Sequence, residues 1–178
     1  DDSWMFQIPG TEQVQLQAEL CGCEWLPVKT QGEPEKEVED LKMALSELKI
    51  DGIVSGALRS DYQKTRLERM SEELGIKSFT PLWHQSSESH MKNLVGNGFK
   101  VMITGVSTEG LDSDWLGCVL TEESLHELSL IASKYRFHVD GEGGEYETLV
   151  IAGPHMKGEL EIDFEKHWDG VRGHLSFS

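Results

Sequence analysis

The amino-acid sequence predicts an α/β protein in which a parallel sheet carries helices on both faces and is followed by a smaller α+β portion. Short apolar runs alternate with segments whose apolar residues recur every three or four positions, as in strands and amphipathic helices. This alternation continues to Val106 at the spacing of β–α units and then changes. We therefore predict an α/β domain at residues 1–106 and an α+β domain at residues 107–178, with a boundary near Ser107.

Helices and strands of the first part are bounded by turn residues. Gly22 and Gly75 are stop signals after helical patterns, and Pro34 suits the first turn of a helix. The run from Phe99 to Val106 is the clearest strand of the chain. In order, the sequence predicts a helix at 13–20, a strand at 25–28, a helix at 34–50, a strand at 52–57, a helix at 60–74, a strand at 76–79, a helix at 88–95 and a strand at 99–106.

The second part is predicted to contain one loop, one helix and several short strands. Gly110 and Gly117 indicate a loop, and Thr121 followed by two glutamates is a plausible helix start. Apolar and polar residues alternate with period two at 160–164, which is typical of a strand. In order, the sequence predicts a loop at 108–120, a helix at 121–135, and strands at 137–139, 148–152, 160–164 and 173–177.

The acidic composition excludes one class of partner. Asp and Glu total 32 against 16 Lys and Arg, so the formal net charge is −16. Such a surface repels a phosphate backbone, which argues against a nucleic-acid partner, and it suits a basic protein partner. Any nucleotide site must then be built locally, from backbone N–H groups, a few cations or a metal.

Neither a membrane span nor a disulfide scaffold is predicted. No apolar run approaches the ~18 residues of a spanning helix, and the first residues show no secretory pattern. The three cysteines, Cys21, Cys23 and Cys118, fit structural thiols in a reducing cytosol. We therefore expect a cytoplasmic protein with no membrane partner.

The helix predicted at 60–74 carries an unusual concentration of arginine. It follows the small residues Ser55, Gly56 and Ala57 at a strand end, where a doubly wound sheet binds ligands. Helical steps of three and four place its polar side chains on one face. That face is either a solvated basic stripe or a cationic wall for a polyphosphate. Its residues are Arg59, Tyr62, Gln63, Arg66 and Arg69.

The stretch at 140–148 combines glycines and glutamates at a density that a plain loop does not need. Its glycines allow positive φ and close backbone approach. Its carboxylates could bind Mg²⁺, a cationic group, or an ammonium ion that must lose a proton, and Tyr146 adds an aromatic face. An acidic hairpin turn is equally consistent with these residues. The glycines are Gly141, Gly143 and Gly144, and the glutamates are Glu142, Glu145 and Glu147.

Two other sets of residues are predicted to be structural. The stretch Thr80–Trp83 is expected to form a turn with a packed tryptophan. No pair of histidines has helical metal-ligand spacing, and no serine lies in a nucleophile-elbow pattern. Structural or exposed roles are therefore predicted for His84, His90, His126, His138, His155, His167 and His174.

Several motifs resemble, in their order along the chain, those of the diphthine–ammonia ligase family. These are ATP-dependent, amide-forming enzymes of the pyrophosphatase-loop type. The sequence GEGGEYET at Gly141–Thr148 matches the most characteristic family signature, and GALRSDYQKTRLER at Gly56–Arg69 resembles the second. An archaeal member is the best fit. Shorter matches lie at Asp2–Phe6, Glu37–Leu41, Thr80–Trp83, Gly110–Asp112 and Trp115–Gly117.

The resemblance implies a fold, a reaction and partners. The first domain is expected to be a Rossmann-like, adenine nucleotide alpha hydrolase-like domain that binds ATP with Mg²⁺, and the second to recognise the substrate. The reaction implied is amidation of diphthine to diphthamide on translation elongation factor two. The diphthine carboxylate would attack the α-phosphate and release pyrophosphate, and ammonia or ammonium would then supply the nitrogen and release AMP. The resemblance does not determine the oligomeric state, and a homodimer is one possibility.

One family signature has no counterpart here. The family begins with a strand and an SGGKDS-type loop that holds the phosphates of ATP, and no such motif occurs in these 178 residues. We therefore expect that the first β–α unit is missing from the sequence as given, and that this chain alone lacks a complete ATP site.

The resemblance also implies roles for individual residues. Aromatic faces attract cations such as the trimethylammonium group of diphthine by ~0.5–2 kcal/mol, so Tyr146, Trp83 or Trp4 could form a cage. No metal ligand is assigned. The residues expected to be catalytic are Glu142, Glu145 and Glu147; those expected to bind nucleotide are Gly56, Ala57, Tyr62, Gln63 and Arg66; and those expected to bind substrate are Gly141, Gly143, Gly144, Tyr146, Thr148 and Trp83.

Two other functions stay open at this point. One is a different pyrophosphatase-loop enzyme that adenylates another carboxyl or carbonyl group, although the net charge of −16 argues against an RNA substrate. The other is a non-catalytic interaction module, which would follow if the phosphate loop were truly absent.

Overall fold

Two compact units make up the part of the protein that the structure describes. This computed structural model describes residues 13–30 and 33–178. The described residues within Leu26–Gln85 form the first unit, and residues 13–25 with Ser86–Ser178 form the second. The predicted family match at Asp2–Phe6, which includes Trp4, lies outside the described residues.

Five α-helices and six strands form in the described residues. None of the helices in this part of the chain is both long and apolar enough to cross a membrane. In chain order the elements are α1 (Val14–Cys21), α2 (Pro34–Ser46), β1 (Gly52–Val54), α3 (Asp61–Leu74), β2 (Lys77–Phe79), α4 (Ser87–Gly96), β3 (Lys100–Val106), α5 (Glu122–Tyr135), β4 (Tyr146–Ala152), β5 (Phe164–Trp168) and β6 (Gly173–Phe177).

The first unit contains the parallel pairing that the sequence predicts. Strand β1 pairs with β2 in parallel, with Val54 opposite Phe79. Helix α3 lies between them in the chain. The Ser60 hydroxyl accepts a hydrogen bond from the Gln63 amide and caps the start of α3, and Gly75, with φ of 71°, ends it. The predicted elements at 52–57, 60–74 and 76–79 are thus confirmed in kind, with shorter strands.

The second unit is built on a four-stranded antiparallel sheet in the order β4-β3-β6-β5. Strand β3 is central and is buried along its length after Lys100. The core of this unit gathers around it, with Ile103, Leu116 and Leu128 fully buried. A capping box between Thr121 and Ser124 starts α5. At the edge of the sheet near Val106, strands β3 and β5 end and strands β4 and β6 begin. All four strands therefore contribute residues to this edge.

The structure corrects the direction of β3. The alternation of strands and helices at the spacing of β–α units is the reason that the sequence places β3 in the parallel sheet. In the structure β3 is antiparallel to both neighbours. A central strand of an antiparallel sheet can be buried as fully as a parallel strand, so its burial does not reveal its direction. Both α4 and β3 belong to the second unit, so the compact units divide after Gln85, whereas the sequence predicts a boundary near Ser107.

Three short strand predictions are also wrong. The described residues at 25–28 and 137–139 have no strand structure. The last hairpin pairs Phe164–Trp168 with Gly173–Phe177, so the strand predicted at 160–164 begins four residues too early. The overall class is mixed α/β, with one parallel and one antiparallel sheet, rather than one parallel sheet with helices on both faces.

Candidate active site

A cavity of about 680 Å³ opens at the end of the antiparallel sheet where β3 and β5 end and β4 and β6 begin. All four strands contribute to it, and the glycine-rich stretch at 140–148 forms part of its wall. The residues that line the cavity include Gly105, Gly144, Glu147, Trp168, Arg172 and His174.

The glycines of this stretch take the backbone shapes that the sequence predicts. Gly141 and Gly144 have φ of 73° and 79°, a region that side chains other than hydrogen rarely allow. The Gly144 amide donates to the Gly141 carbonyl at 2.9 Å and closes a tight turn. A Cβ at Gly141 would lie 2.8 Å from the Tyr146 carbonyl oxygen, so this position has room only for glycine.

Glu145 holds the loop together. Its two carboxylate oxygens accept hydrogen bonds from the His138 amide at 3.0 Å and from the Gly143 amide at 2.8 Å. A Cβ on Gly143 would lie 2.5 Å from one of these oxygens, so the close approach depends on glycine. The carboxylate that the sequence assigns to catalysis is therefore engaged in closing the loop.

Ser107 and Tyr146 fix the same loop to the sheet. The Ser107 hydroxyl donates to the Gly144 carbonyl at 2.5 Å, and the Ser107 amide donates to the Glu145 carbonyl at 2.9 Å. Tyr146 is only 3% exposed, and its hydroxyl donates to the Val139 carbonyl. Burial, with nearby carboxylates, raises the pKa of the Tyr146 phenol. Its ring is a core anchor, not the open aromatic face expected of a cage.

Glu147 is the glutamate of the stretch that lines the cavity. It lies on β4 opposite Gly105 of β3, and it is half-buried. Burial raises the pKa of its carboxyl above the ordinary glutamate value. Its carboxylate makes no hydrogen bond or ion pair with any residue in the described ranges. Glu142 is exposed on the loop, and Thr148 is half-buried in β4 opposite Ile103.

Comparison with known proteins identifies the protein family. Residues 1–78 match the model of the diphthamide synthase N-terminal domain, and residues 86–178 match that of the diphthamide synthase C-terminal domain. The chain belongs to the diphthamide synthase family. The family predicted from the motifs is thereby confirmed.

Relatives of this diphthamide synthase family chain include three vertebrate proteins named diphthine--ammonia ligase. Those of Mus musculus and Danio rerio are each 34% identical, and that of Homo sapiens is 32% identical, with 91% of this chain covered in each case. The chain spans about two thirds of the length of these relatives, namely 66%, 69% and 66%.

The diphthamide synthase C-terminal domain also supplies a cavity wall that the sequence did not single out. The hairpin of β5 and β6 contributes Lys166, Trp168 and Arg172. In its turn, the Asp169 carboxylate accepts from the Val171 and Arg172 amides at 2.8 and 2.7 Å, which lowers the pKa of Asp169. The signal was present in the sequence as an Asp-Gly turn between two alternating strands, flanked by Trp168 and Arg172.

The residues predicted to bind nucleotide lie in the first unit. The Arg66 guanidinium sits 3.4 Å from the centre of the Tyr62 ring. Gly56 is exposed, and a Cβ there would meet nothing within 4 Å, whereas Ala57 is buried. Gln63 is half-buried on the first turn of α3. These positions thus offer an open backbone, a stacked cation–aromatic pair and polar groups.

Other basic residues on α3, or just before it, already have partners. Arg59 donates to the Gln85 carbonyl at 2.9 Å, and Arg69 pairs with Glu73 at 3.1 Å. Lys42 of α2 reaches the same Glu73 at 2.9 Å, which raises the pKa of Lys42 and lowers that of Glu73. Part of the predicted basic face is therefore a network of ion pairs.

Trp83 lies in a polar setting of its own in the first unit. The Lys64 ammonium is 5.2 Å from the centre of the Trp83 ring, and the His84 ring centre is 4.8 Å away. One cation already lies near the ring that was expected to receive the trimethylammonium group. Within the described ranges, no group of three or more His, Cys, Asp or Glu side chains could hold a metal ion.

Proposed function

We propose that this protein amidates diphthine to diphthamide on translation elongation factor two at the expense of ATP, and that the cavity at the sheet end receives diphthine. The observation that carries the proposal is the Glu147 carboxyl, which lies in this cavity with no partner in the described ranges. The names of the relatives support the reaction.

The charges of the cavity suit a zwitterionic acceptor. Diphthine carries a trimethylammonium group and a carboxylate. Glu147 supplies negative charge for a cationic reactant, and Arg172 supplies positive charge for the carboxylate or for the phosphate of an acyl-adenylate. Trp168, which lines the cavity and is half-buried against the core, is the candidate for an aromatic contact in place of Tyr146.

The chemistry proposed is adenylation followed by ammonolysis. The diphthine carboxylate attacks the α-phosphate and pyrophosphate leaves; ammonia then attacks the acyl carbon and AMP leaves. Adenylation converts a poor leaving group into a good one, so the residues of the protein mainly position the reactants and stabilise developing charge. Glu142 and Thr148, close in sequence to the cavity residues, are proposed to help to shape the acceptor side.

One feature of α3 supports the proposal that its residues contact ATP. The Tyr62 hydroxyl is buried without a hydrogen-bond partner in the described part of the chain, so it can donate to or accept from a ligand. We propose that Tyr62, Gln63 and Arg66, with the backbone at Gly56 and Ala57, contact the nucleotide. ATP would supply the adenylyl group, and Mg²⁺ would be bound by its phosphates.

The reaction itself is testable with the full-length protein. Incubation with ATP, ammonium and elongation factor two bearing diphthine is expected to replace one carboxylate oxygen of diphthine by an amide nitrogen, which mass spectrometry detects. AMP should accumulate in equal amount. Formation of no amide in the presence of all three reactants would overturn the proposed function.

Arg66→Ala is expected to weaken ATP binding about tenfold, which corresponds to the ~1–2 kcal/mol of a desolvated cation–π or charge-assisted contact. Calorimetric titration of the full-length protein with ATP measures the change. Arg69→Ala is the matched control, because its guanidinium pairs with Glu73 on the same helix. Wild-type ATP affinity in Arg66→Ala would remove Arg66 from the nucleotide site.

A further inference from the structure

Four residues form a row across the antiparallel sheet at the floor of the cavity. Glu147 on β4 lies opposite Gly105 on β3, Gly105 lies opposite His174 on β6, and His174 lies opposite His167 on β5. Residues directly opposite each other in antiparallel strands project from the same face of the sheet. All four residues line the cavity.

Gly105 leaves a gap in this row. Two strand spacings separate the backbones of Glu147 and His174, which is about 10 Å. A Cβ on Gly105 would lie 3.3 Å from both Cβ and Cγ of Glu147. The Glu147 side chain therefore lies against the Gly105 backbone, and the space from there toward His174 exists because residue 105 has no side chain.

An acid and a base face each other across this gap. The rings of His174 and His167 stack with centres 5.0 Å apart, and His167 Nε2 lies 2.7 Å from the Ser176 hydroxyl, which fixes the pair. Imidazole is the side chain best suited to exchange protons near neutral pH. The Glu147 carboxylate on the other side has no partner in the described ranges.

The remaining charged groups of the cavity leave this pair as the available acid and base. Lys166 alternates with His167 along β5, so it projects from the opposite face of the sheet. Asp169 is occupied by the amides of its own turn, and Arg172 is a permanent cation in that turn.

We infer that the gap at Gly105 is the ammonium site, in which Glu147 binds the cation and His174 accepts its proton. This inference rests on the proposed function. One N–H proton of ammonium passes to the His174 ring, and the freed lone pair of ammonia attacks the acyl carbon. The bond from that carbon to the AMP oxygen breaks, AMP leaves with the electron pair, and the nitrogen loses its second proton to solvent.

The first test needs no catalysis. Ring signals of His167 and His174 are followed by NMR in the 178-residue chain during titration with ammonium chloride, with sodium chloride at equal ionic strength as the reference. We expect a saturable shift at His174 with ammonium alone, lost in Gly105→Val, which fills the gap, and in Glu147→Gln. The exposed His126 on α5 should not shift. No shift at His174, or an unaltered shift in Gly105→Val, overturns the site.

The second test separates proton transfer from mere positioning. In the full-length protein, His174→Gln is expected to lower kcat/KM for ammonium about 100-fold near pH 7, as loss of a general base does. The loss should shrink as pH rises, because free ammonia then needs no base. Hydroxylamine, which is largely unprotonated at neutral pH, should be used at nearly the wild-type rate. His126→Gln should match wild type with both nucleophiles.

The outcomes distinguish this inference from the function on which it rests. Equal losses with ammonium and hydroxylamine at every pH would mean that His174 is structural and would overturn its role as proton acceptor. If the wild-type protein forms no amide with either nucleophile, the proposed function fails, and the ammonium titration still decides the site.

Discussion

Replacing Glu147 by Gln is expected to lower kcat/KM for diphthine amidation by roughly 100- to 1,000-fold, the usual cost of losing a preorganised electrostatic contact at a reacting group. The reason is that Glu147 presents the carboxylate of the 140–148 stretch to the cavity. Amide formation by the full-length protein, followed by mass spectrometry, measures the effect. Glu123→Gln, on the exposed first turn of α5, is the control and should keep wild-type activity.

The same substitution should not destabilise the protein. Burial raises the pKa of Glu147, so its ionised form is disfavoured in the folded state. The stability that this shift supplies is present below the unfolded-state pKa and is lost as pH rises through the folded-state value. At pH 7 the charge is therefore a cost, and Gln should maintain or raise the urea midpoint. Glu147→Gln with wild-type amidation would end the assignment of Glu147.

Glu145→Gln should give a contrasting result. The two oxygens of Glu145 accept backbone hydrogen bonds, and an amide retains only one of these acceptors. We expect lower stability of the loop and a smaller effect on activity than in Glu147→Gln.

Truncation of Tyr146 is expected to have the largest effect on stability. Tyr146→Ala removes a buried ring from the core of the second unit and should cost about 3–5 kcal/mol of unfolding free energy. Tyr146→Phe keeps the ring but leaves the Val139 carbonyl without its donor, at a cost of about 1–3 kcal/mol. Urea unfolding measures both values. Tyr135→Phe is the control, because the Tyr135 hydroxyl makes no hydrogen bond within the described ranges.

The burial of the Tyr146 hydroxyl also predicts how the free energy of unfolding changes at high pH. Its raised folded-state pKa means that the unfolded chain loses the phenolic proton first, from about pH 10 upward. Stability should therefore fall as pH rises through that region, and Tyr146→Phe should fall less steeply. Equal slopes for the two proteins would contradict the burial of this hydroxyl.

Local signals predicted the helices well. The start of α3 at Ser60 and its end at Gly75, like the start of α5 at Thr121, depend on capping residues that are readable in sequence. The direction of β3 was not readable, because an apolar run records burial and not the orientation of the neighbouring strands. The alternating residues at 160–164 likewise could not fix the register of the last hairpin, which its turn determines.

The candidate site was predicted in part for the same reason. Positive φ at Gly141 and Gly144 follows from residue type. The different environments of Glu145 and Glu147 do not follow from residue type. They depend on contacts with His138 and Gly105, which the fold brings next to these glutamates. The histidines of the hairpin were set aside because no pair had helical spacing, whereas in the structure register across the sheet pairs His174 with His167.

The anchoring of the glycine-rich loop affects how a ligand binds. Hydrogen bonds from Ser107, and from Tyr146 to Val139, fix the loop to the sheet, so its glycines do not form a moving lid. Ordering a free loop during binding costs about 0.5–1.5 kcal/mol for each side chain that is immobilised. Here that entropy is lost when the domain folds, so an acceptor meets a surface already shaped. Encounter by diffusion, and not closure of this loop, should then limit its association rate.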